Sequence, residues 1–189
     1  MNTQELLYAL DDLDSQAVWL FTPNMLGTYF PKESPKTLLA SLDRHVKSGL
    51  LQKVKKGLYA NERAKAAPAR RLEALVPYLR PRAINYVSQE SRLSEFGVIS
   101  QIPMEHLTLM TTGRSQTFRT VYGTLEFTHT SRRPKLILEE TSLDENTGLL
   151  LASPERALRD LKRSGRNMDL VNSEIFLELT DHRISQELA

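Results

Sequence analysis

A capped helix with one basic face, a lysine-tipped hairpin directly behind it, and a later alternation of short strands with helices predict an α+β chain in two parts. Residues 1–68 have the size and element order of a winged helix-turn-helix, and residues 69–189 those of a mixed α+β domain. The boundary is expected near residue 68, within an alanine-rich, charged connector running from Asn61 to Ala69.

Gln4 to Leu13 reads as the first helix, with Leu6, Leu7, Leu10 and Leu13 as its apolar stripe. Ala17-Val18-Trp19-Leu20-Phe21 is a short apolar strand or buried segment. Thr22 suits an N-cap and Pro23 the first position of a short helix through Met25, Leu26 and Phe30, which Pro31 stops. Ser34 to Lys47 is the second helix of the helix-turn-helix. Ser34 can accept from its first free amides, Pro35 has no amide to leave unpaired, and Gly49 sits where a left-handed C-cap is expected. Leu38, Leu39, Leu42 and Val46 fall on one face of this helix, leaving Thr37, Ser41, Arg44 and Lys47 on the other. After Gly49 the period changes: Leu50, Gln52 and Val54, then Leu58 and Ala60, fit two strands joined by Lys55, Lys56 and Gly57.

In the second part a helix is expected from Arg70 to Tyr78, ending before Pro81, and a strand over Ala83 to Val87. Ser91 to Phe96 is helical with Gly97 at its end, and His106 to Thr111 has strand composition. Thr120 to His129 alternates around Gly123 as a hairpin or bulged strand. Leu149 to Ala152 is a buried strand feeding a helix with Ser153 as cap and Pro154 at N1. Glu155 lies early in that helix, and Lys162 and Arg163 late, as its dipole favours. Glu139-Glu140 and Asp144-Glu145 read as a solvated turn around Gly148. Trp19 and Tyr86 read as core residues, since no basic stripe interleaves with the aromatics.

The net charge of +2 conceals a strong asymmetry. Residues 1–31 contain four acids and no Lys or Arg, whereas residues 32–71 contain eleven basic and three acidic residues. Residues 72–131 balance, and residues 132–189 stand at −2. Positive potential is therefore concentrated on the second helix and hairpin, where a polyanion would be steered. No run approaches the ~20 apolar residues of a membrane span, and the N-terminus lacks the regions of a signal peptide, so a cytoplasmic protein with no membrane partner is expected. The absence of cysteine excludes disulfides, thiol catalysis and cysteine-ligated zinc.

The sequence supplies no convergent reactive groups. His45, His106, His129 and His182 are scattered without metal-ligand spacing, and there is no phosphate-cradling glycine loop or nucleophile elbow. Neither an enzyme nor a cofactor is expected. The helix opened by Ser153 reads first as a packing element through Ala157, Leu158 and Leu161. The sharper alternative has Arg156, Arg159, Lys162 and Arg163 facing RNA, toxin or the DNA backbone.

Several blocks, in order, resemble the AbiEi-type antitoxins of bacterial abortive-infection, type IV toxin–antitoxin systems. They are Lys55-Lys56-Gly57-Leu58-Tyr59; Tyr86-Val87-Ser88, continuing through Ser91, Leu93 and Gly97; Gln101-Ile102-Pro103; and Ser153-Pro154-Glu155-Arg156-Ala157-Leu158-Arg159-Asp160. The chain departs from the family in having Glu90-Ser91-Arg92 rather than a small residue before Leu93. The resemblance implies an N-terminal winged helix that represses its own operon at inverted repeats of promoter DNA, and a C-terminal domain linked to antitoxicity. It also implies a cognate nucleotidyltransferase-like toxin, neutralised with or without a stable complex. On this reading Thr37, Ser41 and Arg44, with Lys36 or His45, reach base edges, and Lys47, Lys53, Lys55 and Lys56 contact phosphates. The competing readings are a stand-alone winged-helix regulator answering to a ligand or protein, and an enzyme acting on nucleotides or phosphoprotein through the C-terminal domain.

Overall fold

The computed structural model describes residues 1–100 and 105–187; the Gln101-Ile102-Pro103 block and the side chain of His182 lie outside the described residues. The chain is α+β and forms two compact units, Met1–Arg71 and Leu72–Ala189.

The first unit runs α1 (Thr3–Ser15), β1 (Leu20–Phe21), α2 (Pro23–Gly27), α3 (Pro35–Lys47), β2 (Gln52–Lys55) and β3 (Leu58–Ala60). Each helix start is satisfied by a side chain. Asn2 and Glu5 form a reciprocal capping box on α1, Thr22 accepts from the Met25 amide, and Ser34 accepts from the Thr37 amide at 3.2 Å. The second helix stops at Gly27, and Tyr29 and Phe30 follow as turns on the carbonyls of Leu26 and Gly27. Gly49, at φ +74°, reverses the chain after α3 so that the Leu50 amide reaches the His45 carbonyl at 3.0 Å. The strands form an antiparallel sheet of order β1-β3-β2. Leu6, Leu10 and Leu13 of α1 meet Phe21, Leu26, Leu38, Leu42, Leu51 and Tyr59 in one core.

The connector after β3 contains turns and no helix. Asp14 secures it: its carboxylate accepts the amides of Ala66 and Lys65, each at 2.9 Å, and these bonds hold its pKa below the ordinary value.

The second unit begins with α4 (Arg71–Ala74) at the junction and continues through α5 (Val76–Leu79), β4 (Asn85–Val87), α6 (Gln89–Glu95), β5 (His106–Thr111), β6 (Gln116–Thr120) and β7 (Gly123–His129). Then come α7 (Pro134–Leu138), β8 (Thr141–Leu143), β9 (Leu150–Ala152), α8 (Pro154–Ser164), a 3-10 turn and α9 (Ser173–Glu187). The single helix expected from Arg70 to Tyr78 is two short ones, because Pro77 has no amide to continue the hydrogen-bond ladder. The sheet order is β6-β7-β5-β4-β9-β8. The pairs β5–β7 and β4–β9 are parallel and the others antiparallel. Gly123, at φ +127°, closes the β6–β7 hairpin, and a Cβ there would lie 2.3 Å from the Glu105 carbonyl oxygen. On the sheet, Leu93 of α6 and Ala157 and Leu161 of α8 pack with Tyr86, Met110 and Ile137.

Candidate nucleic-acid interface

The buried stripe of α3 is Leu38, Ser41, Leu42 and His45, spaced i, i+3, i+4, i+7. The exposed face holds Lys36, Thr37, Leu39, Ala40, Asp43, Arg44 and Lys47. The helix is thus rolled relative to the sequence expectation. Ser41 and His45, expected to reach base edges, point inward at 5% and 3% exposure, and Leu39, expected inside, is 43% exposed. Leu38 and Leu42 anchor the roll, because both pack in the core and the positions between their turns follow them inward. Burial, with Arg44 beside it, holds the His45 imidazole below its ordinary pKa of 6.5.

Of the residues expected to meet DNA, Lys36, Thr37, Arg44, Lys47, Lys53 and Lys56 are exposed, and Lys55 is half-buried. Thr37 stands at the start of α3, its hydroxyl 2.8 Å from that of Ser34. Arg44 lies on the outward face, where its Nη2 donates to the Met1 carbonyl at 2.8 Å. The hairpin carries Lys56 at its turn, where Gly57 adopts φ +78°. Register shifts between Lys53, which faces Tyr59, and Lys55, which faces Leu58. Lys53 is not a free cation, since its Nζ is 3.1 Å from Asp43 Oδ1. The sequence reading missed Asp43 because a charge count over residues 32–71 absorbs one acid among eleven bases. Its place on the basic face follows only from the roll of the helix. In the connector, Arg71 pairs with Glu62 at 3.0 Å.

In the second unit, two of the sequence blocks meet in space. Tyr86 Oη and Ser88 Oγ, from β4 and the residue before α6, both donate to Asp160 Oδ2, at 3.0 and 2.8 Å. Arg156 Nη2 donates to Asp160 Oδ1 at 2.7 Å. Arg156 Nη1 reaches Glu140 at 3.4 Å; Arg159 donates to Glu140 at 2.6 Å, and Arg132 pairs with it as well. Burial pushes the Glu140 pKa up, but the guanidiniums of Arg132, Arg159 and Arg156 outweigh it and leave the carboxyl below its ordinary value. Burial, and then Asp160, push Tyr86 above its ordinary value. Glu140 is therefore the centre of an arginine cluster and not part of a solvated turn. Arg156 is buried in this cluster, whereas Arg159 pairs with Glu140 from an exposed position, so that Arg159, Lys162 and Arg163 are all exposed on α8 and only Arg159 of the three is tied to the cluster's carboxylate.

A second cluster joins Arg166 to Glu90, at 3.2 Å, and to Glu126, with Asn167 donating to Glu90 at 2.7 Å and His106 lying 3.3 Å from Glu126. The departure at Glu90 is thus matched by a cation from the loop after α8. In both clusters carboxylates face guanidiniums, an arrangement that clamps α8 and its following loop onto the sheet. Among the described residues no group of three or more His, Asp or Glu side chains is placed to hold a metal ion.

No family model matches this sequence, and no curated protein matches it. Among solved structures the chain is similar to the crystal structure of the RV2827C protein from Mycobacterium tuberculosis, with a TM-score of 0.53 and 16% identity. The match covers 84% of this chain and 60% of that one, so the chain spans less than two thirds of its neighbour's length. This likeness shows the fold. No helix among the described residues is long and apolar enough to cross a membrane.

Proposed function

We propose that the first unit is a winged helix-turn-helix that binds double-stranded DNA, with α3 in the major groove and the β2–β3 hairpin as the wing on the phosphate backbone. The observation that carries this reading is the outward face of α3. Lys36, Thr37, Arg44 and Lys47 are exposed together there, directly before a hairpin tipped by Lys56, in a unit whose element order is helix, strand, helix, helix, hairpin. Thr37 and Arg44 read base edges, and Lys36, Lys47, Lys55 and Lys56 hold phosphates.

The whole chain, on this proposal, is a cytoplasmic autorepressor and the antitoxin of a type IV toxin–antitoxin pair, not an enzyme. Support for the second part is the resemblance to AbiEi-type antitoxins. Its Tyr86-Val87-Ser88 block and its Arg156-to-Asp160 block are the two that join through one carboxylate.

The test is footprinting of the full chain on the DNA upstream of its own gene, together with co-expression of any adjacent nucleotidyltransferase-like frame. Protection of paired repeats and rescue from toxicity are expected. Protection without a toxic neighbour would leave a stand-alone regulator, and no protection would remove the DNA-binding reading. At the bound site, alanine at Lys36, Lys47 and Lys56 together should flatten the log–log salt dependence by roughly 0.9 per lost phosphate contact. An unchanged slope would move the interface elsewhere.

A further inference from the structure

Asp43 is an acid on the exposed face of α3, whose other exposed charges, Lys36, Arg44 and Lys47, are basic. Its carboxylate takes the Lys53 ammonium at 3.1 Å. The same ammonium lies 5.8 Å from the centroid of the Tyr59 ring. Lys53 and Tyr59 are paired across the hairpin, so their side chains share one face of it. Tyr59 is buried at 2% exposure within the core, which fixes the ring. A carboxylate from the helix and a ring from the hairpin therefore hold one lysine between them.

We propose that Asp43 is an internal counter-charge that withholds Lys53 from the DNA backbone and so keeps sequence-independent affinity for duplex DNA low. The inference rests on the DNA-binding reading above and deepens it, since it says which lysine of the wing is not a phosphate contact. A lysine already paired brings no net positive charge to the polyanion. To neutralise a phosphate it would have to leave Asp43 uncompensated beside the same backbone. Counterion release counts net neutralised phosphates, so the pair adds nothing to the salt-dependent term. Base contacts from the other outward residues of α3 are untouched. A weaker non-specific term raises the ratio of operator to random binding, and that ratio decides occupancy among competing sites.

The experiment is a salt titration of the full chain on a short mixed-sequence duplex, with wild type, Asp43→Asn and the double variant Asp43→Asn/Lys53→Met, each checked for native circular dichroism. Asp43→Asn releases Lys53, so the log–log slope should steepen by roughly 0.9 and binding should tighten by up to about eightfold near 0.1 M salt. The double variant Asp43→Asn/Lys53→Met removes both charges of the pair, so it should keep the slope and affinity of wild type. An unfolded variant cannot yield a steeper slope with tighter binding. Flattening by roughly 0.9 in the double variant would mean that Lys53 holds a phosphate in the wild type, and would overturn the inference, as would an unchanged slope and affinity in Asp43→Asn. A wild-type chain that binds no duplex at all would be a different failure, that of the DNA-binding reading itself.

Discussion

Asp160 is 1% exposed and accepts from Tyr86, Ser88 and Arg156, so its removal takes the acceptor from two hydroxyls and leaves the buried Arg156 guanidinium with Glu140 alone, at 3.4 Å. Breaking a buried pair by deleting one partner costs more than the pair contributes, because the remaining charge is left short of the contacts that offset its burial. Asp160→Ala should lower stability by about 3–5 kcal/mol in urea denaturation of the full chain. Asp160→Asn, which keeps an acceptor, should lower it less, and equal stability of both variants with wild type would remove the clamp assignment. His45 permits a second prediction at this scale. Folding holds its imidazole below the ordinary value of 6.5 by burial, so the unfolded chain takes up a proton first as pH falls. The stability His45 contributes is present above pH 6.5 and is lost as pH falls below it. Trp19, the single tryptophan, is buried and belongs to the first unit, so its fluorescence reports on that unit's unfolding. The melting midpoint read from its fluorescence should fall between about pH 7 and 5, and this fall should shrink in His45→Leu. A fall of equal size in both proteins would assign the effect to other groups.

At the scale of the element, the roll of α3 separates residues that sequence spacing had grouped. Arg44 is on the exposed face and Ser41 is inside, three residues away. Arg44→Ala should therefore cost about 1–3 kcal/mol at the operator if the guanidinium reads a base, with a smaller loss on random duplex. Ser41→Ala should leave operator binding unchanged. Filter-binding or anisotropy titrations on both duplexes check the pair, and a matching loss in Ser41→Ala would restore the original face. The same roll explains why Leu39 is exposed, since it sits next to Leu38 in sequence but a third of a turn away around the helix.

Across the whole molecule, charge divides with the two compact units. Residues 1–71 carry +4 and residues 72–189 carry −2. If DNA binding is electrostatic in origin, as proposed, residues 1–71 expressed alone should bind duplex DNA, and residues 72–189 should not. On the proposed antitoxin role, protection of cells from a cognate toxin should require the second fragment. Titration of each fragment against promoter duplex, with co-expression of each beside the toxin, makes the comparison. Strong duplex binding by residues 72–189, or full protection by residues 1–71, would reassign the two roles.

The sequence by itself determined the punctuation of the chain and its division of charge. Ser34, Thr22 and Ser153 cap helices, Pro23, Pro35 and Pro154 open them, and Gly49 and Gly57 take left-handed conformations, because these residues act through backbone groups within a few positions of themselves. The edge strand β6 and the short β8 were not legible, because Gln116 to Thr120 and Thr141 to Leu143 are largely exposed and have no apolar alternation to mark them. The inward turn of Ser41 and His45, the pairing of Asp43 with Lys53, and the meeting of Tyr86, Ser88, Arg156 and Asp160 were decided only by tertiary structure. The packing of Leu38 and Leu42 sets the first, the docking of hairpin on helix the second. The third joins residues more than seventy positions apart, held together by a sheet whose strand order no local signal carries.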